Sequence, residues 1–149
     1  MEVNEFINQN LIKMNLTSED KDSVIKEMIE IMAENEIITD KEEVIKKAME
    51  REEKGTTGVG KGVAIPHVKS SAVKRPAVAF GRSEKGIDYG SMDEKPSYLF
   101  FLITVPEESH DEHLKLLAKL SRNLIHDDFR NSLLEAKDEE EVMSVLENI

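Results

Sequence analysis

The chain contains no cysteine. This excludes disulfides, thiolate metal sites and cysteine nucleophiles together, and leaves histidine to carry any nucleophilic nitrogen chemistry. Long apolar runs are also missing. No stretch approaches the roughly 20 apolar residues of a membrane helix, and the opening Met1-Glu2-Val3-Asn4-Glu5 is acidic where a secretory signal is basic. A cytoplasmic chain with no membrane insertion is expected. Basic charge is in deficit, with 20 Lys and Arg against 31 Asp and Glu and a formal net charge of -11. Nucleic-acid affinity comes mostly from cations that displace phosphate counterions, so nucleic acid is excluded as a partner class. An acidic surface suits a basic protein partner, and it also serves plain solubility.

What is present describes a folded domain. The 149 residues are 39% hydrophobic and 34% charged with only four prolines, which is the composition and size of one domain able to close a single core. One domain spanning residues 1–149 is expected, with no repeat or linker to divide it. Thr17 or Ser18 can cap a helix carrying Val24, Ile25, Met28, Ile31 and Met32 at helical spacing. Thr39-Asp40-Lys41-Glu42 reads as a capping box for a second helix with Val44, Ile45, Ala48 and Met49 on one face, running out near Gly55. A glycine-rich loop at residues 55–62 follows, then short strands at residues 62–65 and 77–80. Residues 98–105 are almost unbroken in apolar character, as in a central strand buried on both faces. Pro106 ends that run, and Ser109-His110-Asp111-Glu112 reads as another capping box, opening a helix through Leu114, Leu117, Leu120 and Leu124. Two shorter helices close an α/β chain.

Within this frame a few residues carry chemistry. Gly55-Thr56-Thr57-Gly58-Val59-Gly60-Lys61-Gly62 comes within one residue of the P-loop pattern, which requires Ser or Thr where Gly62 stands. Its context is reversed, because a P-loop leaves a strand and opens a helix, whereas this loop leaves a helix and enters a strand. Next comes His67, just beyond a strand and directly after Pro66, which fixes its own backbone and pushes Ile65 toward an extended conformation. A neutral imidazole is a competent nucleophile near pH 7, since its unperturbed pKa is about 6.5; an ordinary surface histidine is the alternative. His113, at the fourth position of a predicted helix, lies on or beside the leucine stripe. Its ring needs a partner, either a backbone carbonyl or a phosphorylated histidine. Arg51, in the run Glu50-Arg51-Glu52-Glu53-Lys54, is either a solvated arginine among glutamates or a guanidinium fork for a phosphoryl group. His110 and His113 form a His-x-x-His pair that would suit a hydrolytic metal, but no further zinc ligands stand at the required spacing.

Arg51-Glu52, the Gly-Thr-Thr-Gly-Val-Gly-Lys-Gly loop and Val63-Ala64-Ile65-Pro66-His67 are joined later by Phe100-Phe101-Leu102-Ile103. Asp111-Glu112-His113-Leu114 and Leu117-Ala118-Lys119-Leu120-Ser121-Arg122 complete the set. Together these segments resemble the enzyme IIA domain of the fructose, mannitol and nitrogen-regulatory branch of the bacterial phosphoenolpyruvate-dependent phosphotransferase system. The resemblance implies a mixed sheet flanked by helices. It implies that His67 takes a phosphoryl group from a histidine of the carrier HPr and passes it to a cysteine of an enzyme IIB. That acceptor must be a separate chain, because this one has no cysteine. It further implies that His113 lies beside His67 and that Arg51 contacts the phosphoryl group, the three converging near the end of the strand before His67. The glycine loop becomes a docking surface, and neither metal nor cofactor is required. Gly81-Arg82-Ser83, placed after the second strand, together with Gly-Thr-Thr-Gly looks closest to the fructose-type branch, the route to sugar uptake. The nitrogen-regulatory type, which acts by phosphorylation-dependent protein binding, is the alternative.

Overall fold

The structure is a computed structural model that describes residues 2–149. In chain order it forms β1 (Ile12–Lys13), α1 (Lys21–Glu34), α2 (Lys41–Glu53), β2 (Gly58–Gly60), β3 (Val63–Ala64) and β4 (His67–Ser70). β5 (Ala77–Ile87), β6 (Ser97–Pro106), α3 (Glu112–Leu124), α4 (Asp127–Glu135) and α5 (Glu139–Glu147) follow. β6 is the spine. Every residue of it except Tyr98 is buried, as its apolar run requires. β5 runs antiparallel to it, with Val78 opposite Ile103 and Phe80 opposite Phe101, whose rings meet at 5.1 Å. On the other side β3 and β4 both lie parallel to β6, one after the other, with Val63 opposite Leu99 and His67 opposite Ile103. β1 adds parallel to β5 and β2 antiparallel to β3. The result is a mixed six-stranded sheet flanked by helices.

α1 buries Val24, Ile25, Met28, Ile29, Ile31 and Met32, the stripe its periodicity predicts; full burial of each side chain is worth roughly 1.5–3 kcal/mol before entropy is counted. Its cap is not Thr17 or Ser18. Asp20 is the N-cap, its carboxylate accepting from the Ser23 amide at 2.8 Å, and the two hydroxyl residues bind Glu27 instead. A smaller displacement, of one residue, occurs at α2, where Asp40, not Thr39, accepts from the Glu43 amide at 3.2 Å. α3 starts later than expected. Asp111 is its N-cap without a side-chain cap bond, so Ser109 closes no capping box and His113 is the second helical residue. Its buried stripe is Leu116, Leu120 and Leu124, while Leu114 faces outward at 55% exposure. Gly81-Arg82-Ser83 lies inside β5, not after it. A Cβ on Gly81 would meet the Met28 sulfur at 2.6 Å, so glycine there lets β5 approach α1. Arg82 spans to the end of α4, donating to the carbonyls of Leu133, Leu134 and Ala136 at 2.7–3.1 Å. Among the described residues no helix is long and apolar enough to cross a membrane.

Candidate functional site

Two elements missed in the sequence build the site. The glycine stretch is not an open loop: Gly58–Gly60 is β2, which bends back onto β3 as an antiparallel pair. No helix opens after Gly62, so the amide cradle of a P-loop does not form here. His67 does follow a strand, β3, but it also opens another. It is the first residue of β4, and strand alternation puts His67 and Lys69 on the partly exposed face while Val68 and Ser70 point into the protein.

Pro66 explains the geometry around the histidine. It carries no N–H and interrupts the ladder along β6, so β3 ends at Ala64 and β4 starts at His67. The Ile65 amide turns to the Thr57 carbonyl (2.9 Å), and the Pro66 carbonyl accepts from the Ile103 amide (3.0 Å). The Ile65 carbonyl is then available to the His67 ring, whose Nδ1 lies 2.9 Å away. A carbonyl can only accept, so Nδ1 holds the proton and Nε2 keeps the lone pair.

A cleft of about 350 Å³ surrounds this ring. Its walls are His67, Val68 and Lys69 of β4, His113 of α3, Lys47, Glu50 and Arg51 of α2, and Lys54, the C-cap of α2. The three residues singled out in the sequence therefore line one cavity. The His67 and His113 rings are 6.5 Å apart between centroids and 24° from parallel. Arg51 spends one N–H on the Gly55 carbonyl at 2.9 Å, which ties it to the start of the glycine stretch. Nδ1 of His113 is buried and has no hydrogen-bond partner. An unmet N–H there would cost more than an unmet lone pair, so the neutral ring carries its proton on Nε2. His110 does not line the cleft. Among the described residues no group of three or more His, Asp or Glu is placed to hold a metal ion.

Both imidazoles are held below their ordinary pKa. For His67 burial dominates; the Ile65 carbonyl pulls the other way, Arg51 adds to the depression and Glu52 opposes it. For His113 burial again leads, followed by the charge of Lys69 and the neighbouring His67. Two neutral imidazoles facing a group of cations can hold an anion and offer a nucleophile to it. The cationic wall was legible in outline, because Lys47, Arg51 and Lys54 recur at helical spacing along α2 and its C-cap. Lys69 needed the knowledge that β4 begins at His67.

The fold is that of a IIA protein. It superposes on the crystal structure of nitrogen regulatory protein IIA-Ntr from Neisseria meningitidis with a TM-score of 0.90 and 31% identity, covering 97% of this chain and 98% of that one. It is 41% identical over 129 residues to a fructose-specific EIIA component of Haloferax volcanii, 87% of this chain and 84% of that protein. It is 36% identical over 146 residues to the fructose-specific EIIABC component of Bacillus subtilis, 98% of this chain but only 23% of the length of that relative. Residues 5–149 match the family described as phosphoenolpyruvate-dependent sugar phosphotransferase system, EIIA 2, and the chain belongs to that family of phosphotransferase components.

Proposed function

We propose that the chain folds as one domain and is a fructose-type phosphoryl carrier, in which His67 accepts a phosphoryl group from phosphorylated HPr and yields it to a cysteine of a separate enzyme IIB. The observation that carries this is the pinned imidazole: Nδ1–H bound to Ile65 and Nε2 free on the far edge of a ring that lines a cationic cleft. The Nε2 lone pair forms a bond to phosphorus as the bond from phosphorus to the donor nitrogen breaks, and no proton has to move. The proton stays on Nδ1, donated to the Ile65 carbonyl, whose oxygen stabilises the positive charge that the phosphorylated ring acquires. Arg51 supplies its remaining guanidinium donors to the phosphoryl oxygens. His113 donates from Nε2 to the same oxygens; it is not needed to orient His67, because Ile65 already does that. Transfer to enzyme IIB reverses the sequence with a thiolate as nucleophile.

The test mixes the purified chain with phosphorylated HPr and follows acid-labile phosphate. Wild type is labelled and His67→Ala is not; label on the variant overturns the assignment. The match to IIA-Ntr supports one other reading, a regulator that binds proteins according to its phosphorylation state. Delivery of the label to a sugar-specific enzyme IIB separates the two, because a carrier empties onto it and a regulator does not.

A further inference from the structure

Beneath the cleft lies a second cluster that the chemistry above does not use. Glu52 follows Arg51 on α2 and turns the other way, its side chain only 6% exposed. Its carboxylate accepts from the Thr57 amide at 3.1 Å and from the Thr57 hydroxyl, and is paired with Lys21 at 2.9 Å. The Thr57 hydroxyl also meets the Tyr89 hydroxyl at 2.9 Å, and the Lys21 ammonium stands 4.9 Å over the Tyr89 ring. Tyr89 is fully buried, and burial with the nearby Glu52 charge holds its phenol protonated. Thr57 in turn leads to the site: its carbonyl accepts from the Ile65 amide at 2.9 Å, and the Ile65 carbonyl holds Nδ1 of His67.

We propose that Glu52 and Thr57 are positioning residues for phosphoryl transfer, acting through Ile65 on the orientation and tautomer of His67, with Lys21 and Tyr89 clamping the pair. This rests on the reading of His67 as the phosphoryl acceptor. The physical reason is that the N–H and carbonyl of Ile65 both face away from β6, which the Pro66 carbonyl binds instead; the N–H is held by the Thr57 carbonyl. That bond is only as rigid as its far end, and Thr57 is anchored by a desolvated carboxylate that takes both its N–H and its O–H. Arg51, one residue before Glu52, reaches the Gly55 carbonyl, so the same short segment that Glu52 closes also aims the guanidinium. A loosened Glu52 bond would therefore misplace nucleophile and cation together, which is the kind of sub-ångström loss that depresses transfer without touching partner affinity.

The experiment uses the full chain with phosphorylated HPr as donor. Glu52→Gln keeps the shape but leaves one acceptor oxygen for the two Thr57 donors, Thr57→Val removes the hydroxyl, and Thr57→Ser restores it. We expect the single-turnover rate at saturating donor to fall about tenfold or more in Glu52→Gln and Thr57→Val, with KM for the donor unchanged and Thr57→Ser close to wild type. Nitrogen-15 spectra of the His67 ring are expected to show one tautomer, protonated at Nδ1, in wild type and Thr57→Ser, and a mixture in the other two. Wild-type rates and an unchanged ring spectrum in Glu52→Gln and Thr57→Val, even with a lowered melting temperature, would reduce the cluster to a structural prop and overturn the inference. If Glu52→Gln does not fold, the Thr57 pair decides by the same readouts. Label on His67→Ala would instead refute the acceptor assignment, while the ring spectra would still report whether Glu52 controls the imidazole.

Discussion

Glu27 offers a quantitative test of how the corner between β1 and α1 is held. Its carboxylate accepts from the Thr17 amide at 3.1 Å, the Ser18 amide at 3.0 Å and the Ser18 hydroxyl at 2.5 Å, and pairs with Lys13 at 2.6 Å. Burial opposes its ionisation, but Lys13, the Ser18 hydroxyl and the two amides outweigh it and carry the pKa from the ordinary 4.5 down to about 2. That difference corresponds to roughly 3 kcal/mol of stability. The carboxylate keeps an 11% exposed side chain beside a Lys13 that is 40% exposed. Solvent screening therefore reduces the figure, and Glu27→Gln is expected to cost about 2 kcal/mol at pH 7. The sign follows from proton linkage. The folded pKa lies below the unfolded one, so the stabilisation is complete above about pH 5 and is lost as pH falls toward 2. Urea unfolding of wild type and Glu27→Gln at a series of pH values measures it, with a drop in Tm of about 4–8 °C at pH 7 for a chain of this size. A difference under about 0.5 kcal/mol at pH 7, or one that does not shrink on acidification, would refute the reasoning.

Two further outcomes concern the cleft. His67 and His113 titrate below the ordinary imidazole range, so the unfolded chain binds more protons than the folded one on the acid side of about pH 6.5. Stability should fall as pH drops through that point, and His67→Gln should remove part of the fall; a histidine NMR titration with either ring at or above 6.5 would contradict this. Arg51→Lys keeps the charge but cannot hold the Gly55 carbonyl and a phosphoryl oxygen with one planar fork. Its transfer rate should fall about tenfold and that of Arg51→Ala about a hundredfold, by single-turnover labelling, and a wild-type rate in both would remove Arg51 from the mechanism.

The parts of the fold that announced themselves did so through long, unambiguous patterns. The apolar run of β6 and the helical stripes of α1 and α2 are of this kind. Caps were misplaced by a residue or a few because Thr17, Ser18 and Asp20, or Thr39 and Asp40, are all competent N-caps, and only tertiary contacts choose between them; Glu27 had already claimed Thr17 and Ser18. β5 reads as ending near Phe80, since Gly81-Arg82-Ser83 has the composition of a turn. The close approach to α1 and the reach of Arg82 to α4 are what make that composition fit a strand. The cluster beneath the cleft was invisible for a related reason: Lys21 and Tyr89 are each some thirty residues from the Glu52–Thr57 pair, and each alone looks like a surface residue or a core aromatic.

The break at Pro66 shows why the site could be recognised from its motif but not built from it. Along a parallel ladder alternate residues bond the same neighbour; Gly62 and Pro66 give their carbonyls to β6, so Ile65 between them turns its carbonyl away from β6, to the imidazole. Proline removes one ladder donor, the strand restarts at His67, and three consecutive residues take different partners: Ile65 the ring and Thr57, Pro66 the Ile103 amide, His67 the cleft. Because β4 then alternates normally, the residue two beyond the histidine, Lys69, must also face the cleft, and Val68 between them must anchor the strand in the core. Thus the strand alternation that turns the Ile65 carbonyl to the imidazole also brings a cation to its side. In a chain of net charge -11, Lys47, Arg51, Lys54 and Lys69 around two neutral rings are a local excess of cations, the charge that the proposed phosphoryl group on His67 would meet.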